Sequence, residues 1–326
     1  MIMRSAGRGE YPELAGWPMV ENNQSLSWRA YIRLFRAARA AERWLNRRGL
    51  DGKILRAARF CHSAVRRVVA GRMPNPVMYR GINVHWDEST SAMARVLAAG
   101  DFEPHIVPLF EQLVSPGMTV IDLGAHLGAY TLLAALGVGP RGRVYAFEPD
   151  PRVRALLEEN VAANGFNDRV RVVGRAVRDA ASRVELYLGR TPELTSLTRP
   201  AEKGVQGIKA EATSLDEFFS SEGWPEVGLI KMDIEGSEKP ALEGMKEFCR
   251  RQKRLALIIE FIPEVMQAAG TSPEDIFHLL RLLGFNRICG ISLDQREPLP
   301  LETEPDLRGF AERHATKHPY LLAQLG

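Results

Sequence analysis

The feature that most constrains the fold is an alternation of short apolar segments with helical ones, which begins at Met118. The apolar segments have the length of buried strands, and the intervening residues have helical spacing. Strands that alternate with helices predict an α/β fold in which helices cover both faces of a parallel sheet. A β-rich stretch interrupts the alternation over 176–212. The predicted strands are 119–123, 143–147, 170–173, 227–233, 255–261 and 285–289, and the predicted helices are 127–136, 151–163, one from Ser237, and 273–283.

A strongly basic block precedes this region. Residues 28–72 contain 13 Lys and Arg residues and only 2 acids, a local charge of +11, so the rest of the chain carries −8 of the net +3. Apolar residues at helical spacing within the block predict two helices over 24–72. We therefore predict an N-terminal tail and basic helical extension over 1–76. A second domain over 77–326 is predicted to open with a hairpin and two helices, at 77–87, 89–99 and 104–114.

The cysteines and the apolar runs indicate the compartment. Cys61, Cys249 and Cys289 are odd in number and far apart, so they support neither a disulfide framework nor a zinc site. They are expected to be buried free thiols. No run has the length of a signal peptide or of a membrane-spanning helix. The sequence therefore predicts a cytoplasmic protein.

The first chemical motif is Val-Ile-Asp-Leu-Gly-Ala-His-Leu-Gly over 120–128. It predicts a glycine-containing turn between a strand and a helix, where backbone amides approach a ligand closely. A nicotinamide-binding turn would have glycines where this sequence has His126 and Ala129. The carboxylate of Asp122 would repel a pyrophosphate but would stabilise a cationic ligand such as S-adenosylmethionine.

A second motif follows about twenty residues later, at the end of the second predicted strand. Glu148 lies where a carboxylate can accept both hydroxyls of a ribose, which indicates an adenosine ligand without choosing among such cofactors. Asp150 is expected to cap the helix that begins at Pro151. Helix capping by Glu148 itself is the structural alternative.

A third motif, Lys-Met-Asp-Ile-Glu-Gly-Ser-Glu over 231–238, ends the fourth predicted strand. Alternation along the strand places Lys231 and Asp233 on one face, and Glu235 continues that side into the turn. The carboxyl ends of parallel strands are where open α/β sheets bind ligands. A purely structural ion pair is the alternative, because a buried lysine is costly unless it is paired.

Residues 81–261 resemble the FkbM family of S-adenosylmethionine-dependent methyltransferases. The resemblance is carried by 101–104, 122–131, 144–149, Glu159-Asn160 with Asn164, 195–197, 214–216 and 231–238. It implies a class I methyltransferase (Rossmann-like) fold, a doubly wound sheet of seven strands with one antiparallel strand and a β-rich insertion. It also implies O-methylation, with a site lined by Glu103 and Ser196. The cofactor-binding residues expected from the motifs and the resemblance together are Glu103, Asp122, Gly124, Ala125, His126, Gly128, Thr131, Glu148, Pro149, Ala176 and Asp233.

Two features depart from the family pattern. His126 stands where the family usually has Asn, so a titratable group in the cofactor turn would make affinity depend on pH. The basic block before Met73 is longer than the resemblance requires.

Methyl transfer to a hydroxyl requires alignment of the acceptor and loss of its proton. The candidate catalytic residues are Lys231 (if burial lowers its pKa), Asp233, Glu235 and Glu260, with Asp233 expected nearest the methyl group. Two or three of these carboxylates could equally hold a Mg²⁺ that acidifies the hydroxyl, because Mg²⁺ prefers oxygen ligands. The sequence leaves both possibilities open.

Three other functions compete. An NAD-dependent oxidoreductase would share the fold and Glu148, but Asp122 and the turn spacing disfavour it. A nucleic-acid methyltransferase would use the basic block on phosphates, but an Asn-Pro-Pro-Tyr type motif is missing from the sequence. A non-catalytic binding module would not need the carboxylate cluster.

The basic helices allow three interpretations. In the first, they pack on the core or on a second subunit, as in a homodimer. In the second, they lie on an anionic membrane surface through Trp28, Phe35 and Trp44. In the third, they recruit an acidic partner. Membrane contact would make the protein peripheral on the inner face of the membrane and would suit a lipid-linked acceptor. The resemblance spans sugars, polyketides, peptides and lipids, so the acceptor is left open as a small-molecule or lipid-linked hydroxyl.

Overall fold

The central sheet and its covering helices are described by a computed structural model over residues 73–189, 195–198, 205–295, 297–314 and 318–326. The predicted basic extension over 24–72 lies outside the described residues, and so does Cys61. Residues 73–76 already pack with the hairpin, since Met73 is buried and the Trp86 ring nitrogen donates to the Pro74 carbonyl oxygen at 2.8 Å.

The described residues form ten α-helices and thirteen strands. The helices are α1 (Ser91–Ala99), α2 (Val107–Leu113), α3 (Ala129–Val138), α4 (Pro151–Ala163), α5 (Leu215–Ser221), α6 (Glu238–Glu243), α7 (Lys246–Arg251), α8 (Pro263–Ala268), α9 (Pro273–Leu282) and α10 (Glu304–His314). The strands are β1 (Val77–Tyr79), β2 (Ile82–Val84), β3 (Thr119–Leu123), β4 (Arg143–Phe147), β5 (Val170–Val173), β6 (Ala176–Val177), β7 (Ser182–Tyr187), β8 (Gly207–Thr213), β9 (Leu229–Met232), β10 (Leu255–Glu260), β11 (Arg287–Ile291), β12 (Leu299–Pro300) and β13 (Tyr320–Leu325).

The large sheet has the order β12-β11-β13-β10-β9-β3-β4-β5. Strands β5, β4, β3, β9 and β10 are parallel, whereas β13 is antiparallel to both β10 and β11. This confirms the predicted doubly wound sheet of seven strands with one antiparallel strand. The two-residue β12 adds an eighth at the edge. Because β13 runs in the opposite direction, it begins at the edge where the parallel strands end.

Helices cover both faces of this sheet, as continuous apolar strands require. Alternate strand residues point into two separate hydrophobic clusters: Val120 lies in the one that includes α3 and α4, and Ile121 in the one that includes α5, α7 and α9. Asp122 and Lys231 are paired in register between β3 and β9, on the same face as Val120. A polar group is thereby built into one face of an otherwise apolar sheet.

The β-rich stretch after β5 is a separate three-stranded sheet, of order β6-β8-β7. Its existence confirms the predicted insertion. The bridge between Tyr187 and Ser196 attaches residues 195–198 to the end of β7. The insertion therefore continues towards the carboxyl edge of the large sheet.

Two asparagines of α4 and its C-terminus clamp the hairpin of β1 and β2 to the domain. The buried Asn160 amide accepts from the His85 amide at 2.6 Å and donates to the carbonyl oxygens of His85 (3.1 Å) and Leu127 (2.8 Å). Asn164 exchanges the same pair of hydrogen bonds with Asn83 at 2.9 and 2.7 Å. These bonds give a structural role to Asn160 and Asn164, two of the residues that carry the family resemblance.

The element boundaries shift where turns compete with periodicity. Helix α3 begins at Ala129 instead of 127, because 124–128 form the turn. The strand expected over 285–289 is β11, from Arg287, since the Phe285 amide still donates to Leu280. The helix expected from Ser237 is split into α6 and α7 at Gly244, whose backbone approaches the Arg178 carbonyl so closely that a Cβ would lie 2.1 Å from it.

Cys249 is buried, as expected, and Cys289 is partly buried. In the described part of the chain, none of the helices combines the length and the apolar character that crossing a bilayer demands.

We expect Asn160→Ala to lower the free energy of unfolding by about 2 to 4 kcal/mol, because it leaves buried backbone groups of His85 and Leu127 without partners. Urea denaturation measures this change. The exposed Asn167→Ala is the matched control and should change stability by less than about 0.5 kcal/mol. Equal midpoints for the two variants would contradict the clamp.

Candidate active site

A cavity of about 320 Å³ opens at the carboxyl edge of the large sheet, beside the ends of β3, β4, β9 and β10. The insertion forms another wall through Leu186 and Leu197. The predicted site residues that line the cavity are Glu103, Gly124, His126, Glu148, Pro149, Ala176, Ser196, Asp233, Glu235 and Glu260. Three separate sequence motifs are thereby brought together in one place.

The other predicted residues lie behind the cavity wall: Asp122, Ala125, Gly128, Thr131 and Lys231. Asp122 is buried below the turn and accepts a hydrogen bond from the Thr131 hydroxyl at 2.6 Å. Burial raises the pKa of Asp122 to about 6, against the lowering effects of Thr131 and Lys231. Asp122 therefore supports the turn from below, and direct contact with a ligand stays a prediction.

The turn after β3 depends on Gly124. Its φ of +82° is left-handed, and a Cβ at this position would lie 1.8 Å from the carbonyl oxygen of Asp233. The amides of Gly124 and Ala125 both donate to the Phe147 carbonyl oxygen at 3.0 Å. The close approach locks the turns after β3 and β9 together at the floor of the cavity.

Glu148 connects the first two motifs. Its carboxylate accepts from the amide of His126 (Oε2, 2.8 Å) and from the amide of Asp150 (Oε1, 2.8 Å). Burial raises its pKa to about 7, although these two bonds favour the ionised form. Both oxygens keep lone pairs for a ribose. Asp150, as predicted, caps α4 by accepting from the Arg152 amide at 3.0 Å.

Lys231 lies under the cavity floor with 1% of its side chain exposed, and its Nζ donates to Asp233 Oδ2 at 3.1 Å. The ammonium is held between the rings of Tyr130 and Tyr320, 4.9 and 4.8 Å from their centroids. Both tyrosine hydroxyls donate to Glu103. The buried cation is thus in contact with one carboxylate and two aromatic rings.

The protonation states in this cluster differ between neighbours. Burial would lower the pKa of Lys231, but the surrounding carboxylates, with Asp233 first, raise it. Burial would likewise raise the pKa of Asp233, but Lys231 and a hydrogen bond from Glu260 lower it. Burial and the charge of Asp233 hold the pKa of Glu260 well above its usual range. The condition attached to Lys231 as a base, a lowered pKa, is therefore not met.

Asp233, Glu235 and Glu260 each offer a carboxylate oxygen, and these oxygens lie within 4.8 Å of one another. Three hard oxygen donors suit Mg²⁺. The Lys231 ammonium beside Asp233 also supplies a positive charge, and burial and the charge of Asp233 raise the pKa of Glu260. The donor set therefore fits a metal in number and chemistry, with one of its carboxylates already paired with a lysine.

The insertion closes one side of the cavity. The Ser196 hydroxyl donates to the Glu235 carbonyl oxygen at 2.8 Å, and the Thr195 hydroxyl donates to Asp150 Oδ2 at 3.4 Å. Ser196 therefore lies where the resemblance placed it. It acts on the backbone of the turn after β9, whose Glu235 has a left-handed φ of +50°.

Several cavity residues escaped the sequence analysis. Met93, Thr195, Ser237 and His318 line the cavity, and Tyr130 and Tyr320 lie beneath it. Tyr130 sits directly beside the glycine turn, so its position was a usable signal. Tyr320 is the first residue of β13, and His318 lies two residues before it. No strand was predicted in this part of the sequence.

Charge is unevenly distributed around the cavity. Among the described residues that line it, five are carboxylic acids and none is Lys or Arg. Such a lining favours a cationic ligand and disfavours one with phosphates. The sheet order with its antiparallel β13, combined with this acid-lined edge, defines a class I S-adenosylmethionine-dependent methyltransferase fold.

Comparison with known proteins agrees with this assignment of the fold. The family model described as the methyltransferase FkbM domain matches residues 122–287, half of the chain. The chain therefore belongs to the FkbM methyltransferase family.

Curated relatives are of moderate similarity. The chain is 27% identical over 157 residues to the 2-O-methyltransferase NoeI of Sinorhizobium fredii, covering 44% of this chain and 62% of that protein. It is 29% identical over 217 residues to the 31-O-demethyl-FK506 methyltransferase FkbM of Streptomyces tacrolimicus, covering 58% and 78%. An O-methyltransferase from Bacillus cereus, solved in complex with SAH, aligns with a TM-score of 0.39 at 13% identity, over 81% of this chain and 97% of that one.

We expect the affinity for S-adenosylmethionine to rise about tenfold between pH 6 and pH 8, because Glu148, with a pKa of about 7, must be ionised to accept ribose hydroxyls. Isothermal titration calorimetry measures this. Glu148→Gln should bind about tenfold more weakly at pH 8 and should lose most of the pH dependence. If the affinity falls equally at pH 6 in the wild type and in Glu148→Gln, a group other than Glu148 causes the pH dependence.

Proposed function

We propose that the protein transfers a methyl group from S-adenosylmethionine to a hydroxyl of a small-molecule or natural-product acceptor. The observation that carries the proposal is the acid-lined cavity, with Glu148 at the end of β4 and the Asp233, Glu235 and Glu260 cluster near the ends of β9 and β10. The acids on β4 and β9 are separated by β3, so one elongated ligand spans both.

The arrangement of these acids suggests how the cofactor would lie. Glu148 would bind the ribose of the adenosine. The turn at Gly124 and His126 would support the part of the cofactor that extends from the ribose towards β9. The bound cofactor supplies a methyl group on a positively charged sulfur. Ionised Asp233, fixed by Lys231 at 3.1 Å, would attract that charge and orient the acceptor hydroxyl beside it.

The wall of the cavity formed by Leu186, Leu197, Val177 and Met93 is apolar. It would exclude water from the transfer and would pack against a partly apolar acceptor. The names of two relatives, a 2-O-methyltransferase and a 31-O-demethyl-FK506 methyltransferase, both specify oxygen as the site of methylation. They support oxygen methylation here.

The competing functions receive less support. A nicotinamide cofactor would place its phosphates among five carboxylates, which repel them. Family membership gives no preference for a nucleic-acid acceptor, and the basic block that suggested one lies outside the described residues. Membrane contact, dimerisation and a lipid-linked acceptor depend on the same block and stay predictions.

We expect Asp233→Asn to lower kcat by about 10²- to 10⁴-fold while the affinity for S-adenosylhomocysteine changes less than about threefold. The amide keeps the shape of the side chain but loses the charge that faces the transferring group. Release of S-adenosylhomocysteine, measured by mass spectrometry, reports the rate. Asp179→Asn, on an exposed side chain in the insertion, is the control. Full activity of Asp233→Asn would refute the role of the carboxylate.

We expect activity to persist in excess EDTA, because the Lys231 ammonium already pairs with Asp233, the central carboxylate of the three. The same assay measures the effect. Loss of activity that Mg²⁺ restores would instead assign the three carboxylates to a metal, and Glu235→Gln should then raise the Mg²⁺ concentration needed for half-maximal activity.

A further inference from the structure

His318 lines the cavity just before β13, whereas Glu148 lines it just after β4. Along the sheet order, β4 and β13 are four strand spacings apart, roughly 19 Å. The cluster of Asp233 and Glu260 lies between them. A cofactor whose ribose is held at Glu148 therefore extends towards β9, and the space beyond it, over β10 and β13, is left to the acceptor.

We propose that His318 is the proton acceptor for the hydroxyl that is methylated. This inference rests on the proposed function. His318 lines the same cavity as Asp233 and Glu260, and it precedes the antiparallel strand that pairs with β10. A neutral imidazole is the side chain best suited to take a proton near neutral pH.

The backbone places this histidine two residues before the point where β13 pairs with the end of β10. The Phe261 amide donates to the Pro319 carbonyl oxygen at 2.8 Å, and Glu260 pairs in register with Tyr320. His318 itself has a left-handed φ of +44°, a conformation that is costly for a residue with a side chain. The strand pairing and the hydrogen bond from His105 hold it there.

His105 is the second support. Its Nε2 lies 3.1 Å from the His318 carbonyl oxygen, and its ring packs edge-on against Tyr320. His105 belongs to the same loop as Glu103, which enters the cavity. The loop that presents Glu103 therefore also holds the backbone of His318.

The neighbouring acids are less suited to the same task. The surrounding carboxylates raise the pKa of Lys231, burial and the charge of Asp233 raise the pKa of Glu260, and Asp233 accepts hydrogen bonds from both. The ionisable groups that line the cavity together with His318 are Glu103, Glu148, Asp233, Glu235, Glu260 and His126.

The step balances without another reactant. The acceptor O–H bond breaks and its proton goes to an imidazole nitrogen of His318. The oxygen forms a bond to the methyl carbon, and the electron pair of the broken carbon–sulfur bond stays on sulfur. Since the His318 residue is exposed, its imidazolium then releases the proton to water.

The test uses the full-length protein, methyl-labelled S-adenosylmethionine and the small-molecule extract of a strain that lacks the gene. We expect His318→Ala to transfer label at least 100-fold more slowly than the wild type, with S-adenosylhomocysteine affinity within threefold. Added imidazole should restore part of the rate. The pH dependence of the rate should differ between the wild type and the variant, because the variant lacks the proton acceptor.

The controls distinguish proton acceptance by His318 from a structural role of this residue and from a failure of the proposed function. His278→Ala, on the exposed face of α9, should keep the wild-type rate. His318→Gln keeps polarity and bulk but accepts no proton, so a wild-type rate in this variant, or in His318→Ala, would overturn the role of His318 and leave the proposed function standing. If the wild type transfers no label to the extract, the proposed function fails and this inference fails with it.

Discussion

The ion pair between Lys231 and Asp233 is the interaction on which the rest of the site depends. A lysine with 1% of its side chain exposed must lose nearly all its hydration, and such a loss is compensated only by close, well-oriented partners. Asp233, the two tyrosine rings and the nearby Glu103 supply them. Because the cation lowers the pKa of Asp233, and the charge of Asp233 in turn raises the pKa of Glu260, the acid–base character of the cavity surface depends on a group that lies below it.

The alternation of strands and helices was sufficient to predict the architecture, because buried parallel strands leave few alternatives for their apolar residues. It also placed Asp122, Glu148 and Asp233 correctly, at the carboxyl ends of β3, β4 and β9. Strand ends are local properties of the chain, and the topology then brings them together. Glu148 and Asp233 lie more than 80 residues apart in the sequence, yet both border the carboxyl edge of the large sheet.

The parts that sequence reasoning missed are those whose roles arise from packing. In the sequence, Tyr320 lies at the boundary between a polar and an apolar segment, and nothing there marks it as a site residue. Only its pairing with Glu260 brings its ring over Lys231. The distinction between Asp122 behind the wall and Glu148 in it also escaped the sequence, since both follow apolar strands. Their different depths come from the Thr131 hydroxyl that covers one of them and the turn amides that bind the other.

The late position of β13 in the chain governs how the cluster around Lys231 assembles. Glu103, Lys231 and Tyr320 meet in space, although more than 200 residues separate the first from the last. Contacts between residues so far apart in the chain carry a large loop-closure entropy. Strand β13 lies between β10 and β11, so the strand that comes last in the chain occupies an interior position of the sheet. A truncation before Tyr320 would therefore remove an interior strand of the sheet and one of the two rings that enclose the charge.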